Sequence, residues 1–126
     1  MDARGRDDLF YRIGHDQDDE LLWDAISKAE NPNKADDKGL TYLHAATIGY
    51  RTGAAEVLLK KGADPNCIDS YGNTPLSYAV GKKHPNTVKM VQLLLDYGAD
   101  LDLKLGEQSV REIIEMFQDE ELMHFL

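Results

Sequence analysis

The chain has 126 residues, of which 42% are hydrophobic and 29% charged, and these values predict a single soluble domain. Its apolar runs are much shorter than a bilayer requires, so no membrane-spanning segment is expected. A formal net charge of −9 argues against a nucleic-acid partner, because phosphates are repelled by such a surface.

The first segment, residues 1–33, predicts a helix pair that caps one end of the molecule. Residues 7–14, DDLFYRIG, fit a short first helix, and residues 18–33, DDELLWDAISKAENPN, fit a second.

The opening MDARGRDDLF is polar and lacks the apolar centre of a signal peptide. Cys67 is the single cysteine and has no partner for an internal disulfide, so we expect a reducing, cytoplasmic location.

Residues 34–66 predict a complete helix-turn-helix unit. The stretch TYLHAATI opens with Thr41, a favoured helix N-cap. The stretch GAAEVLLKKG places Ala55, Leu58 and Leu59 on one face, as expected for a second helix. Gly62 is suited to end it, because glycine adopts the left-handed conformation at little cost.

Residues 67–102 repeat that unit. The pairs separated by 33 positions are Asp36 and Asp69, Gly39 and Gly72, Thr41 and Thr74, Leu43 and Leu76, and Ala46 and Ala79. The Gly-Ala-Asp triplet at Gly62 returns 36 positions later at Gly98, which predicts a three-residue insertion in the loop GKKHPN, residues 81–86. Pro75 occupies a first helical position, where its missing N–H costs nothing.

The last segment, residues 103–126, predicts a shortened unit at the other end. GEQSVREIIEMF fits a helix capped by Ser109, and DEELMHFL fits a shorter final helix. Atypical terminal units with polar outer faces are expected at both ends of a short array of repeats.

These residues resemble the ankyrin repeat, a helix-turn-helix unit of about 33 residues with a Thr-Pro-Leu-His box. The box is matched by TYLH at residues 41–44 and by TPLS at residues 74–77, and the resemblance covers about residues 19–126. It implies an all-α solenoid of stacked units with projecting β-turn or hairpin tips. Tyr42 and Ser77 depart from the box, so the inter-repeat hydrogen bond of the family histidines is expected at His44 alone.

A search for catalytic motifs finds none of the phosphate-loop, zinc-hydrolase, Cys-x-x-Cys or nucleophile-elbow patterns. The four histidines are scattered, and adjacent carboxylates are typical of a solvated surface. A reactive thiol or metal ligand at Cys67 is the alternative role for that residue, but no second cysteine supports it. The sequence therefore predicts a non-enzymatic protein with no cofactor and no metal.

Stacked repeats build an extended concave surface. The resemblance implies that a partner protein contacts the hairpin tips and the exposed side of each first helix. The predicted partner-binding residues are Ala35, Asp37, Lys38, Leu40, Tyr42, Ile48, Tyr50, Ile68, Ser70, Tyr71, Asn73, Tyr78, Lys82 and Lys83. Tyrosine is enriched at binding hot spots, although packing between repeats is the alternative role for each tyrosine. Tyr71, at the tip of a turn, is the strongest candidate.

The negative charge is concentrated at the two ends of the chain. Residues 1–24 carry eight acidic and three basic side chains, and residues 112–126 carry five acidic and no basic ones. Acidic caps would keep a stack of repeats soluble and would favour helix starts. The same charges would also steer a basic partner toward the protein. The sequence is compatible with both interpretations.

The sequence thus predicts a protein-binding module but does not name its partner. A small acidic array of this kind is similar to bacterial immunity proteins, which bind and neutralise a cognate toxin. It is equally similar to small adaptors and inhibitors, and its short loops are compatible with a host-directed effector, but among specific roles we expect toxin immunity first. A scaffolding subunit of a stable complex is the alternative from a different functional class.

Overall fold

The structure, a computed structural model that describes residues 3–126, contains eight helices in four consecutive pairs. The pairs are α1 (Asp8–His15) with α2 (Glu20–Ser27), α3 (Tyr42–Ile48) with α4 (Thr52–Lys60), α5 (Pro75–Val80) with α6 (Thr87–Asp96), and α7 (Val110–Phe117) with α8 (Glu120–Met123). Strands β1 (Lys104–Leu105) and β2 (Gln108–Ser109) form a small antiparallel hairpin before the last pair. Each of the four predicted segments contains one helix pair. No helix within residues 3–126 is long and apolar enough to cross a bilayer.

The starts of the later first helices follow from their capping residues. Thr41, Thr74 and Ser109 each accept a hydrogen bond from the third helical amide, and the side chain of that third residue binds back to the cap. Pro75 lies at the first position of α5. The helix starts predicted from these residues are therefore confirmed.

The second helices end at glycines that adopt a positive φ. Gly62 follows α4 with φ +102° and Gly98 follows α6 with φ +97°. Their amides and those of the next residues return to carbonyls of the last helical turn. This arrangement confirms the predicted role of both glycines.

The core runs through the whole stack. The first helices α1, α3, α5 and α7 contact each other in that order, and α2, α4 and α6 form a second row. The largest fully buried apolar side chains are Ile13, Leu22, Ile26, Leu43, Leu58, Leu76, Met90, Leu94 and Ile114. Leu59 is also buried, whereas Leu95 is only partly buried at the edge of the core. The result is the all-α stack predicted from the repeat.

Hairpins project from the stack before α3 and α5, and neighbouring hairpins are bonded to each other. The Asp37 amide donates to the Arg4 carbonyl, and the Ser70 amide donates to the Lys38 carbonyl, both at 2.7 Å. Gly39 permits this approach: its φ is +75°, and a Cβ there would lie 3.2 Å from the Cα of Asp69. The N-terminal segment at Arg4 and the two tips therefore form one continuous row that ends at the second tip.

Candidate protein-binding surface

The first hairpin is fixed by the buried carboxylate of Asp36. Its Oδ1 accepts from the amides of Lys38 at 2.8 Å and Leu40 at 3.0 Å, and its Oδ2 accepts from Nε of Arg6 at 2.8 Å. Burial alone would raise the pKa of Asp36, but the hydrogen bonds from Arg6 and the two amides outweigh it and lower the pKa. The charged carboxylate thus holds the tip in one conformation.

Asp69 does the same for the second hairpin. Its Oδ1 accepts from the amides of Tyr71 and Asn73, each at 2.9 Å, and its Oδ2 accepts from the hydroxyl of Tyr78 at 2.5 Å. Burial and the hydrogen bond to Asp69 raise the pKa of Tyr78 to about 12, so the hydroxyl stays protonated as a donor. Tyr78 is half-buried and braces the tip from α5.

The side chains at the tips point into solvent. Tyr71 is 61% exposed and Ile68 is 50% exposed, and both lie on the second hairpin. The other exposed residues of the predicted set at the hairpins are Ala35, Asp37, Lys38 and Ser70, and Asn73 is half-buried.

Tyr71 is exposed because the row of tips stops beside it. The following hairpin, β1 and β2, is shortened to a two-residue turn. A Cβ on Gly72 would meet no atom within 4 Å, whereas Gly39 is covered by the next hairpin. The second tip therefore leaves an uncovered aromatic side chain on a rigid backbone.

Three residues of the predicted partner-binding set have buried side chains: the prediction is wrong in placing Leu40 on the surface, and the two tyrosines take their alternative role of packing between repeats. Leu40 is 8% exposed beneath the first hairpin, Tyr42 is 2% exposed and Tyr50 is 4% exposed. The Tyr42 ring packs on Phe10 with centroids 4.5 Å apart, and its hydroxyl donates to Asp7 at 2.5 Å. Burial and the bond to Asp7 raise the pKa of Tyr42. Tyr42 therefore joins the first helix pair to the next.

Tyr50 holds the insertion loop, residues 81–86. Its hydroxyl oxygen lies 2.8 Å from the Ala79 carbonyl oxygen and 3.0 Å from that of Lys82, so the single proton is shared between these two acceptors. Its ring stacks on His84 with centroids 4.3 Å apart, and Nζ of Lys82 lies 5.6 Å from the ring centroid. The backbone at Tyr50 adopts φ +53°, a conformation that glycine would take more easily. Tyr50 therefore makes contacts between repeats that a glycine at this position could not make.

His44 confirms the predicted link between repeats. The Thr41 amide donates to its Nδ1 at 3.1 Å, so the ring proton is on Nε2, which donates to the Asn73 carbonyl at 3.0 Å. Burial lowers the pKa of His44 and keeps the ring neutral. Within residues 3–126, Ser77 at the equivalent place bonds only to Thr74 and Asn73 of its own repeat. The fully buried imidazole therefore fixes the second hairpin onto the first repeat.

The remaining predicted residues lie away from the tips. Ile48 is 45% exposed at the C-terminal end of α3. Lys82 and Lys83 are exposed on the insertion loop, at the end of α5 opposite its hairpin. The structure therefore separates the predicted set into a surface at the hairpins and a second group at the loops. We call the first group, Asp37, Lys38, Ile68, Ser70 and Tyr71, the tip surface.

Cys67 is half-buried beside this hydrogen-bond system. Its Sγ lies 3.8 Å from Nδ1 of His44, but that nitrogen already accepts the Thr41 amide. Burial raises the pKa of the Cys67 thiol, which disfavours the thiolate needed by a nucleophile or a metal ligand. Among residues 3–126, no cluster of three or more His, Cys, Asp or Glu is placed to hold a metal ion.

Sequence reasoning missed an exposed apolar site at the C-terminal end. Phe117 is 71% exposed, although it continues the helix face of Val110, Ile113 and Ile114. The available signal was the shortness of the following helix, because one turn in α8 is too little to cover that whole face.

Comparison with known proteins identifies the family. A family model of ankyrin repeats (3 copies) matches residues 10–104. A putative ankyrin repeat-containing protein of Treponema pallidum is 37% identical over 121 residues, which cover 94% of this chain and 39% of that protein. A putative ankyrin repeat protein of Rickettsia felis is 34% identical over 90 residues, which cover 68% of this chain and 39% of that one.

Solved structures agree on the fold. The human ASB11 ankyrin repeat domain superposes with a TM-score of 0.72 at 24% identity, covering 92% of this chain and 51% of that chain. The chain spans about two fifths of the length of the two bacterial relatives. Ankyrin repeats act as protein–protein interaction modules. On its repeats and on the family match, the chain belongs to the ankyrin repeat family.

Proposed function

We propose that this protein binds another protein through the tip surface and performs no chemistry of its own. The observation that carries the proposal is Tyr71, which is 61% exposed on a hairpin whose backbone is fixed by Asp69. An exposed aromatic side chain on a rigid support is a typical binding anchor. Because the tip is already ordered, binding loses little conformational entropy there.

The neighbouring tip supplies the polar contacts around this anchor. Lys38 and Asp37 are exposed, and the backbone bond from Ser70 to Lys38 holds the two tips side by side. A large aromatic residue beside charged and hydroxyl groups matches the usual arrangement of an apolar centre with a polar rim. The tip surface therefore suits a folded protein partner better than a small ligand.

The partner is proposed to be basic. The net charge of −9 attracts a cationic protein over distances of about a Debye length, roughly 8 to 10 Å at moderate salt. Such long-range attraction acts on the association rate more than on the dissociation rate. Raising the salt concentration should therefore slow association far more than it speeds dissociation.

As the specific role we propose that of an immunity protein, which binds a cognate toxin and thereby neutralises it. Support comes from the strong acidic charge, which favours rapid capture of a basic toxin, and from a binding surface without catalytic groups. Co-expression with a toxin encoded beside the gene tests the role: protection of the cell supports it. A partner that stays fully active in the complex would contradict it and favour an adaptor or scaffold.

The binding surface is tested on the partner recovered from the native cell, with affinity measured by calorimetry. Tyr71→Ala should weaken the complex by about 1 to 3 kcal/mol without lowering the melting temperature. Tyr97→Ala is the matched control, because Tyr97 is also exposed but follows α6 on the second row of helices. Equal affinities for the Tyr71 variant and the unmodified protein would exclude the tip surface.

A further inference from the structure

A groove lies between the insertion loop and the last helix pair. We call it the cap groove. Its aliphatic and aromatic lining comes from α5, α6, α7 and α8, and the residues are Val80, Val88, Ile113, Ile114, Phe117 and Leu122. Phe117 is 71% exposed in it, a large value for an aromatic side chain that continues a buried helix face. Exposed apolar surface framed by polar residues marks an interaction site.

The two walls of the cap groove carry opposite charges. Lys82 and Lys83 line one wall, and Asp119, Glu120 and Glu121 line the other. In residues 3–126, neither lysine forms an ion pair and neither glutamate does. The walls are thus available to charges brought by a partner.

Both walls are held in place by contacts outside the groove. The lysine wall is fixed by Tyr50, whose hydroxyl binds the Lys82 carbonyl and whose ring stacks on His84. The acidic wall is fixed by Asp119, whose side chain caps α8 by accepting from the amides of Glu121 and Leu122. The fold therefore fixes the positions of the lysine wall and the acidic wall on opposite sides of the groove.

The groove is lined by helices and by the insertion loop, and none of its lining residues belongs to β1 or β2. It offers no strand edge to pair with an extended peptide. An incoming segment must satisfy its own backbone hydrogen bonds, which a helix does. This requirement selects a helix over a strand as the occupant.

From these observations we propose that the cap groove binds an amphipathic helix of another protein. The apolar stripe of this helix packs on Phe117 and Ile113, its acidic flank faces Lys82 and Lys83, and its basic flank faces Glu120 and Glu121. Methionine and leucine are suitable stripe residues for such a groove. This site is independent of the tip surface and adds a second point of attachment.

The test uses three synthetic helical peptides with the same leucine stripe. One has an acidic and a basic flank, one has two acidic flanks and one has two basic flanks. Fluorescence anisotropy should show the mixed peptide binding about 5-fold more tightly than either of the others, as expected for a partly exposed ion pair. Phe117→Ser should weaken the mixed peptide at least about 10-fold, the loss typical of an anchor residue.

Charge reversal of one wall should change the preferred peptide. Lys82→Glu with Lys83→Glu makes both walls acidic, so this variant should prefer the peptide with two basic flanks. Glu120→Lys with Glu121→Lys should prefer the peptide with two acidic flanks. Circular dichroism checks that both variants keep their helix content. Tyr71→Ala should bind the mixed peptide like the unmodified protein, which separates this site from the tip surface.

Several outcomes would overturn the proposal. Equal binding of the three peptides, or no binding of any, would show that the walls do not select a helix. Unchanged binding by the Phe117 variant would place the peptide elsewhere. A concentration-dependent dimer that is lost in Phe117→Ser would show that a second copy of the chain occupies the groove.

Discussion

Both ends of the chain are rich in carboxylates, but several of those at the N-terminal end are hydrogen-bonded to residues of the next repeat. Asp7 accepts from Tyr42 and from Lys34, and Asp18 accepts from the Trp23 indole and from the second and third amides of α4. Both aspartates thereby connect the first helix pair to the following repeat. Here the acidic residues stabilise the contact between neighbouring units.

The C-terminal end uses few of its carboxylates in this way. Glu112 pairs with Lys104 and Asp119 caps α8, but Glu115, Glu120 and Glu121 are exposed and form no ion pair within residues 3–126. Asp7 and Asp19 also cap α1 and α2, which agrees with the interpretation that acidic residues favour helix starts at the N-terminal end. The C-terminal end keeps charge at the surface, where it remains available for steering or docking.

The largest expected contrast between the ends is in the effect of truncating a buried leucine. Leu22→Ala should lower the free energy of unfolding by about 2 to 5 kcal/mol, because Leu22 is 1% exposed and packed between units. Leu122→Ala removes the same atoms from a single-turn helix that can shift into the space, so about 2 kcal/mol or less is expected. Urea denaturation measures both. Equal losses in the free energy of unfolding would mean that the two ends are packed equally well into the stack.

A second contrast concerns single carboxylates. Helix α4 has no cap from its own N-cap residue, and Asp18 accepts from Gly53 and Ala54 at 3.0 Å instead. Asp18→Ala should therefore cost about 1 to 2 kcal/mol, the usual loss for a removed N-cap. Glu121→Ala is the matched control and should stay within about 0.5 kcal/mol. Similar melting temperatures for Asp18→Ala and the unmodified protein would contradict the capping role.

The third contrast appears in the pH dependence of stability. The pKa of Asp36 is lower in the folded protein than in the unfolded chain, so its contribution is complete above about pH 4 and is lost as the pH falls through the folded pKa. Asp36→Asn should be less stable by about 1 kcal/mol at pH 7, since it loses the ion pair with Arg6. Urea midpoints of the two proteins should converge below pH 4.

A matched change at the other end serves as the control for that titration. Glu120 is exposed, so Glu120→Gln and the unmodified protein should have the same urea midpoint at pH 7 and at pH 3. A constant difference between Asp36→Asn and the unmodified protein across this range would show that the carboxylate charge does not stabilise the first hairpin.

The sequence was sufficient for the repeat architecture because its signals are local. Thr41, Thr74 and Ser109 act within one turn of their own helix, and Gly62 and Gly98 act at the residue that ends a helix. Capping and left-handed turns depend on residues close in sequence, so spacing alone located them. The link made by His44 came from the family resemblance.

The surface was harder to predict because it depends on distant partners. Tyr42 is buried through a bond to Asp7, 35 positions away, and Tyr50 through a bond to Lys82, 32 positions away. Tyrosine has both an apolar ring and a polar hydroxyl, so its sequence context did not separate packing from exposure. Phe117 shows the converse, because it lies on the same helix face as the buried Val110 and Ile114 but too little chain covers it.

The smallest expected effect is a stabilisation at the C-terminal end. Gln118 ends α7 with φ +53°, a left-handed conformation that costs a non-glycine residue about 1 kcal/mol. Its side chain is exposed, so Gln118→Gly should raise the free energy of unfolding by roughly 0.5 to 1 kcal/mol. The reverse change, Gly98→Ala, should lower it by at least about 1 kcal/mol, because φ is +97° and a Cβ would meet no neighbour within 4 Å that could compensate. Urea denaturation at pH 7 shows whether each variant is more or less stable than the unmodified protein. A loss of stability in Gln118→Gly would show that the glutamine side chain supports the last turn.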